Sequence, residues 1–367
     1  MKNFSILLSA ATMLVPSAAA LTACFAHDAE NEIPTQPAQE ESIDTVTVAL
    51  TGDILMGTTF PTERLPRNNG QDLFRDAAPL LTAADLTVGN LEGTLCNGGT
   101  TKKKVSNVSY AFRTPTSYVG LLVEAGYDFV SMANNHARDF GEEGIVSTEH
   151  TLESAGIRFA GIRGRTEKTI VERNGVKYGL CAFGHNEYTL KTWETATVAR
   201  ILDSLRQEAD IVVVSFHGGA EGAAHSHLPN GMETYLNEQR GNLREFAHFC
   251  IDHGADIVYG HGPHVPRCIE LYQDRFIAYS LGNFCTPYGI NISGISGLAP
   301  LITVRATTEG KFVDARIHSF KQVYGEGPRT DSQAGAARQI RTLTTADIPD
   351  SNLEISDDGL VKRKSQQ

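Results

Sequence analysis

Five short apolar runs in this chain end in the same way, and that recurrence limits what the chain can become. Residues 46–51 lead into Gly52-Asp53, and 86–88 lead into Gly89-Asn90-Leu91-Glu92-Gly93. Residues 129–133 lead into Asn134-Asn135-His136, 211–216 into His217-Gly218-Gly219, and 257–259 into Gly260-His261-Gly262-Pro263-His264. Runs of this length and apolarity read as strands buried in a core. In an open α/β sheet, ligands collect outside the carboxyl ends of the strands. Taken singly, an Asp after a strand is a cap, an Asn-Asn pair is a turn, and a histidine is a hydrogen-bonded structural residue. Five such ends in one chain point instead to a shared site. Carboxylates are hard donors able to bridge cations, and neutral imidazoles suit zinc, manganese and iron. Glycines beside them permit tight turns and close backbone approach.

Helical stretches separate the early strands. Helices are expected over 73–84, over 115–124 with Pro115 in the first turn, over 142–154 closed by Gly156, over 197–208 and over 236–253. Asn174-Gly175 between 170–173 and 176–178 reads as a hairpin with a primed turn. Later, 269–272 with 276–280 and 301–307 with 312–318 read as further hairpins. Alternation first and hairpins afterwards predict an α/β fold with mixed β-sheets flanked by helices.

Of the 367 residues, 41% are hydrophobic, enough for a full core, and the net charge of −11 leaves no basic face for nucleic acid. The N-terminus reads as export machinery. Lys2 precedes an apolar run over 6–20 that is too short to span a membrane comfortably. Leu21-Thr22-Ala23-Cys24 resembles a bacterial lipobox, so 1–23 is expected to be a lipoprotein signal peptide and Cys24 the lipidated residue. That makes the protein a secreted, cell-envelope lipoprotein held to the membrane by its acyl chains. Residues 24–44, rich in Glu, Ala, Pro and Gln, read as a flexible tether. One domain is expected over 45–325, followed by a polar C-terminal tail over 326–367 with a helix near 333–343. Cys96, Cys181, Cys250, Cys268 and Cys285 show no paired spacing and read as small buried hydrophobes.

The motifs also carry a resemblance. Gly52-Asp53, Asn90-Leu91-Glu92-Gly93, residues 132–141, His217-Gly218-Gly219-Ala220-Glu221, Gly260-His261-Gly262-Pro263-His264-Val265 and Tyr279-Ser280-Leu281-Gly282-Asn283-Phe284 resemble, in order, the CapA family linked to poly-γ-glutamate capsule synthesis. The resemblance runs over about 46–320. It implies a metallophosphatase-like (calcineurin-like) α/β sandwich with two divalent metal ions, Mn, Zn or Fe. Carried over motif by motif, Asp53 and His264 would bind the first ion, Asn135, His217 and His261 the second, and Glu92 would bridge both. His136 would act as general acid, with Asn134, Glu221 and Asn283 toward the substrate. Two departures stand out: Leu55 occupies the place of the phosphatases' first-motif histidine, and Glu92 is one methylene longer than their bridging aspartate.

The function this implies is metal-dependent hydrolysis or transfer on an anionic polymer or a phosphoester, beside other capsule-synthesis machinery. The competing expectation is a non-catalytic component that binds or exports polymer on the same fold. His185 reads as structural, His225 and His227 as residues of a solvated loop, and Lys102-Lys103-Lys104 as a solvated basic run.

Overall fold

A computed structural model describes residues 44–104, 106 and 109–365. The expected signal peptide, Cys24 and all of the tether but Asp44 lie outside the described residues. Among those described, no helix is long and apolar enough to cross a membrane.

Two mixed sheets face one another. The first runs in the order Leu353–Ile355, Leu360–Arg363, Phe312–Val323, Leu298–Thr307, Thr45–Ile54, Leu86–Leu91, Phe129–Ser131, Arg158–Ala160. Its last four strands are mutually parallel, and the others join antiparallel. The second runs Ile269–Tyr272, Arg275–Ala278, Ile257–His261, Ile211–His217, Val176–Phe183, Lys168–Arg173, parallel in the middle and antiparallel at both edges.

The layering follows from which side chains each strand turns inward. Val46, Val48, Leu50, Leu86, Val88 and Phe129 from the first sheet share one core with Leu180, Val213, Ile257, Tyr259 and Phe276 from the second. The outer face of the first sheet packs Ala49, Ile54 and Val130 against Leu121 and Leu122 of the Val119–Ala125 helix and Ile145 and Leu152 of the Gly141–Ser154 helix. The outer face of the second packs Val212, Val214 and Val258 against the Thr195–Glu208 and Leu243–Asp252 helices. Strands buried on both faces must be apolar at every position, which is why 211–214 reads as a continuous run. The result is the expected α/β sandwich of mixed sheets flanked by helices.

Several expectations about single elements change. The helix expected over 73–84 shrinks to Ala78–Leu81. The one expected over 236–253 is a Glu233–Tyr235/Glu238–Gly241 hairpin followed by a helix over Leu243–Asp252. Asn242 caps that helix, accepting from the Glu245 amide, so the helix starts where its cap is. Residues 326–363 are not a detached polar tail. Gly327–Thr330, Leu353–Ile355 and Leu360–Arg363 all join the first sheet, and Ala337 and Ile340 of the Gly335–Asp347 helix enter the shared core. The five cysteines past 95 are buried and unpaired, as expected.

Candidate metal centre

Parallel pairing sets the strand ends side by side. Asp53 lies in register with Asn90 and Asn283, and His217 with His261. Gly52 makes this possible, because a Cβ there would sit 2.1 Å from the Gly282 carbonyl oxygen. Asp53, Glu92, His217 and His261 are fully buried, and the ligand atoms of Asp53, Glu92 and His217 lie within 4.8 Å of one another. His217 Nε2 is 3.6 Å from Glu92 Oε1, and His261 Nδ1 is 3.3 Å from Asp53 Oδ1. His264 spans the pair, with Nδ1 3.1 Å from Asp53 Oδ2 and Nε2 3.6 Å from Glu92 Oε1. Its backbone sits in the left-handed region at φ 56°, a strain that a site can hold when its surroundings fix it.

The cluster is short of partners. Both carboxylate oxygens of Glu92, both ring nitrogens of His217 and of His261, and Asn135 Oδ1 are buried without a hydrogen bond. Buried polar atoms are otherwise nearly always satisfied, so this convergence is what a cation would complete. The electrostatics agree. Desolvation and then the Asp53 charge push Glu92 up to about 8. Burial opposes ionisation of Asp53, but His261 and His264 outweigh it and hold Asp53 well below the usual carboxylate range. Burial likewise opposes the charged form of His264, yet Glu92 and Asp53 outweigh it and push it up to about 10. Desolvation keeps His217 well below its ordinary value, hence neutral and able to donate a lone pair. Carboxylate, amide oxygen and imidazole together make a donor set suited to divalent cations.

His136 stands over this floor. Its Nε2 is 4.0 Å from Glu92 Oε1, and its Nδ1 is 2.8 Å from Asp139 Oδ2. Because the carboxylate accepts, Nδ1 carries the proton and Nε2 faces the cluster. Asp139 also accepts from the Phe112 amide at 2.7 Å and pairs with Lys103, whose Nζ donates to the Asn135 carbonyl at 2.8 Å. Lys103 is therefore tied to the site, where the sequence suggested only a solvated run. Its proximity arises from folding a loop some thirty residues away, and no local pattern records it.

Two expected substrate contacts turn inward instead. Asn134 is fully buried and its amide is committed: Nδ2 donates to Asn90 Oδ1 and the Leu91 carbonyl, and Oδ1 accepts from the His136 amide. Asn283 is also buried; its Nδ2 faces the carbonyls of His264, Asn291 and Ser296, and its Oδ1 lies 3.0 Å from His264 Nδ1. Both shape the loops that carry Asn135 and His264. Asn90 does the same for Asp53, donating to Oδ1 at 2.9 Å. Glu221 does face the opening, held at 2.8 Å by Arg240. Leu55 is buried, with its methyls against Gly93 and Gly289.

The model of the family described as bacterial capsule synthesis protein PGA_cap matches residues 47–288, about two thirds of the chain and every residue of the cluster. The chain belongs to this family. Among curated relatives, PGA biosynthesis protein CapA of Bacillus subtilis (strain 168) is 28% identical over 266 residues, covering 68% of this chain and 65% of that protein. Capsule biosynthesis protein CapA of Bacillus anthracis is 28% identical over 273 residues, covering 69% and 62%. The chain thus spans less than two thirds of the length of either relative. Among solved structures, a hypothetical protein from Thermus thermophilus aligns with TM-score 0.47 at 17% identity, covering 75% of this chain and 99% of that one. A 5'-nucleotidase precursor from the same organism aligns with TM-score 0.43 at 10% identity, covering 83% and 59%.

The PGA_cap match stops at residue 288, before the Leu298–Thr307 and Phe312–Val323 strands that complete the first sheet. The site side chains missed by local reading, Lys103, Asp139 and Arg240, all lie inside the matched stretch. Only Asp139 had a usable signal, since it follows His136 by three residues.

Proposed function

We propose that this chain is a metal-dependent hydrolase or transferase of the cell envelope that acts on the capsule polymer poly-γ-glutamate or a precursor, with two divalent cations, manganese, zinc or iron. The observation that carries the proposal is the buried cluster in which ligand atoms of Asp53, Glu92 and His217 lie within 4.8 Å of one another, with the Glu92 carboxylate and the His217 ring left without hydrogen-bond partners. Asp53, Glu92 and His264 would hold the first ion, and Glu92, Asn135, His217 and His261 the second. Bound there, the ions would lower the pKa of a water and neutralise charge building on the substrate. With Nδ1–H held by Asp139, His136 Nε2 is placed to give a proton to the leaving atom when the ring is doubly protonated. Asp139 fixes the ring by accepting from Nδ1, and Lys103 balances the Asp139 charge. Asn134 and Asn283 hold the loops that carry Asn135 and His264.

His136→Ala is expected to lower kcat by about 10²–10⁴ while metal content per chain is unchanged. Unchanged turnover would remove His136 from the mechanism. Leu55 favours a second reading, in which the same site binds polymer without cutting it, because an apolar side chain stands where an imidazole would complete the first ion's shell. Polymer retention with no turnover in the metal-loaded wild type would decide for that reading. Location belongs to the proposal too: Leu21-Thr22-Ala23-Cys24 supports a lipid anchor at Cys24. Cys24→Ser should release the protein from the membrane fraction, and unchanged partitioning would refute the anchor.

A further inference from the structure

A cavity of about 230 Å³ beside the cluster reaches His136 and His264, and Tyr110, Phe112 and Tyr235 line it. Each tyrosine is backed by a partner. Tyr110 stacks nearly parallel with Phe112, centroids 6.2 Å apart, and Tyr235 lies 5.3 Å from the Arg240 guanidinium. Phe112 in turn lies 4.4 Å from the His136 ring, so this aromatic wall leads to the proposed general acid. The polar groups of the cavity are few and not fully used. Ser296 is only 4% exposed yet lines the cavity. Its Oγ has no hydrogen-bond partner among the described residues and, unlike the orphaned atoms of the cluster, keeps accessible surface. Asn291 Oδ1 accepts from the Ser293 amide at 3.0 Å, which leaves Nδ2 to donate. Glu221 Oε1 accepts from Arg240 at 2.8 Å, which leaves Oε2 to accept.

Charge and size narrow the ligand. Among the described residues no lysine or arginine lines this cavity, whereas Glu221 does, so the wall away from the centre offers an anion no counter-charge. The volume falls below the about 300–1,000 Å³ of pockets for drug-sized ligands, which suits a single ring. An all-apolar ring would leave the hydroxyl and the carboxylate unmet. A sugar ring satisfies both demands, because its face is C–H and its edge carries hydroxyls that donate and accept. We propose that this cavity is a subsite for one neutral pyranose ring, its C–H face against Tyr110 and Tyr235 and its hydroxyls on Ser296 Oγ, Asn291 Nδ2 and Glu221 Oε2. A substrate of the centre then carries a sugar beside its reacting bond. The position of that bond rests on the metal-centred reading above, whereas the sugar site does not.

The test is calorimetric titration of the full chain, zinc-loaded and metal-free. The probes are the methyl glycosides of glucose, galactose, mannose and N-acetylglucosamine, together with adenosine and cyclohexanol. At least one glycoside should bind with a Kd of about 1 mM. Tyr110→Ala should weaken it about tenfold, and Tyr110→Phe, which keeps the ring, should not. Ser296→Ala should weaken it about three- to tenfold, the effect of one net hydrogen bond, and leave cyclohexanol unchanged. That change spares the Ser296 carbonyl that holds Asn283, so it serves if the Tyr110 variant fails to fold. The subsite is overturned if no glycoside binds, or if glycoside binding is the same in Tyr110→Ala and Ser296→Ala as in the wild type. Cyclohexanol or adenosine binding more tightly than every glycoside also overturns it, in favour of an apolar or a nucleobase pocket. Metal equivalents measured on the same samples separate the failures. Retained metal without glycoside binding sinks the sugar site alone, whereas glycoside binding without metal uptake supports the sugar site and sinks the metal-centred function.

Discussion

Glu92→Gln is expected to lose metal and, at the same time, to make the metal-free protein more stable than the metal-free wild type. Glu92 is fully buried beside Asp53, without a hydrogen bond to either oxygen, and its pKa is pushed up to about 8. A carboxyl whose folded pKa exceeds its unfolded value contributes stability that is complete below the unfolded value and is lost as pH rises through the folded one. The metal-free wild type should therefore weaken between about pH 4.5 and pH 8, by about 3 kcal/mol at pH 7. Glutamine cannot ionise, so the variant should show no such slope, and the two proteins should converge near pH 4. Adding manganese should reverse their order. Binding to the folded state alone stabilises by RT ln(1 + [L]/Kd), about 4 kcal/mol at a thousandfold excess over Kd, and the variant forgoes this. Denaturant unfolding with and without metal, at pH 4 and pH 7, reads all four quantities. A variant that keeps its metal equivalents would show that Glu92 is not a ligand.

The same physics explains how far the sequence could be read. Candidate ligands that follow a buried strand are legible because the strand itself is: its apolar run fixes its end, and parallel neighbours bring the ends together. Asp53, Glu92, His217 and His261 all lie at such ends, and they are the four the fold buries completely at one point. Asn134 and Asn135 show the limit of this reading. Adjacent asparagines look alike in sequence, yet only the backbone decides which amide closes the turn. Asn134 closes it, and Asn135 keeps an unpartnered oxygen. Lys103 and Arg240 were illegible for a different reason. Each reaches the site from a segment without periodicity, and its role depends on a carboxylate distant in the chain, Asp139 or Glu221. The expected helix over 236–253 failed because its first half is polar and turns at Leu236 and Asn237, both in the left-handed region. That conformation ends a helix and closes the Glu233–Gly241 hairpin. The polar C-terminal segment misled because its sparse apolar residues, Ala337, Ile340, Leu353, Ile355 and Val361, enter the core.

The loop that carries Glu221 is held by a buried ion pair, and breaking it should give the largest loss of stability from any single side chain outside the proposed metal centre. Arg267 is fully buried, and its guanidinium binds Glu233 in two parallel bonds of 2.7 and 2.8 Å. It also donates to the His225 carbonyl at 2.8 Å, while Glu233 Oε2 accepts from the Ala220 amide at 3.0 Å. One pair thus ties residue 220, residue 225 and the Glu233–Gly241 hairpin to the strand region after His264. Arg267→Leu leaves the Glu233 carboxylate buried without its partner, which costs about 3–5 kcal/mol. Removing both charges in Arg267→Leu/Glu233→Leu abolishes the stranded charge and should recover part of that loss. Recovery cannot be complete, because the Ala220 amide and the His225 carbonyl still lose their partners, at about 1–3 kcal/mol each. Denaturant unfolding of the two single variants and the double variant gives the coupling between the side chains. Neither side chain of the pair bonds to a proposed ligand, although His217 and His264 lie three residues from Ala220 and Arg267, so metal content should stay at the wild-type value in all three. Substrate affinity, by contrast, should fall as Glu221 loses its fixed place. Unfolding free energies that add without coupling would overturn the pair as the brace of this loop, and loss of metal would show that the brace extends to the centre itself.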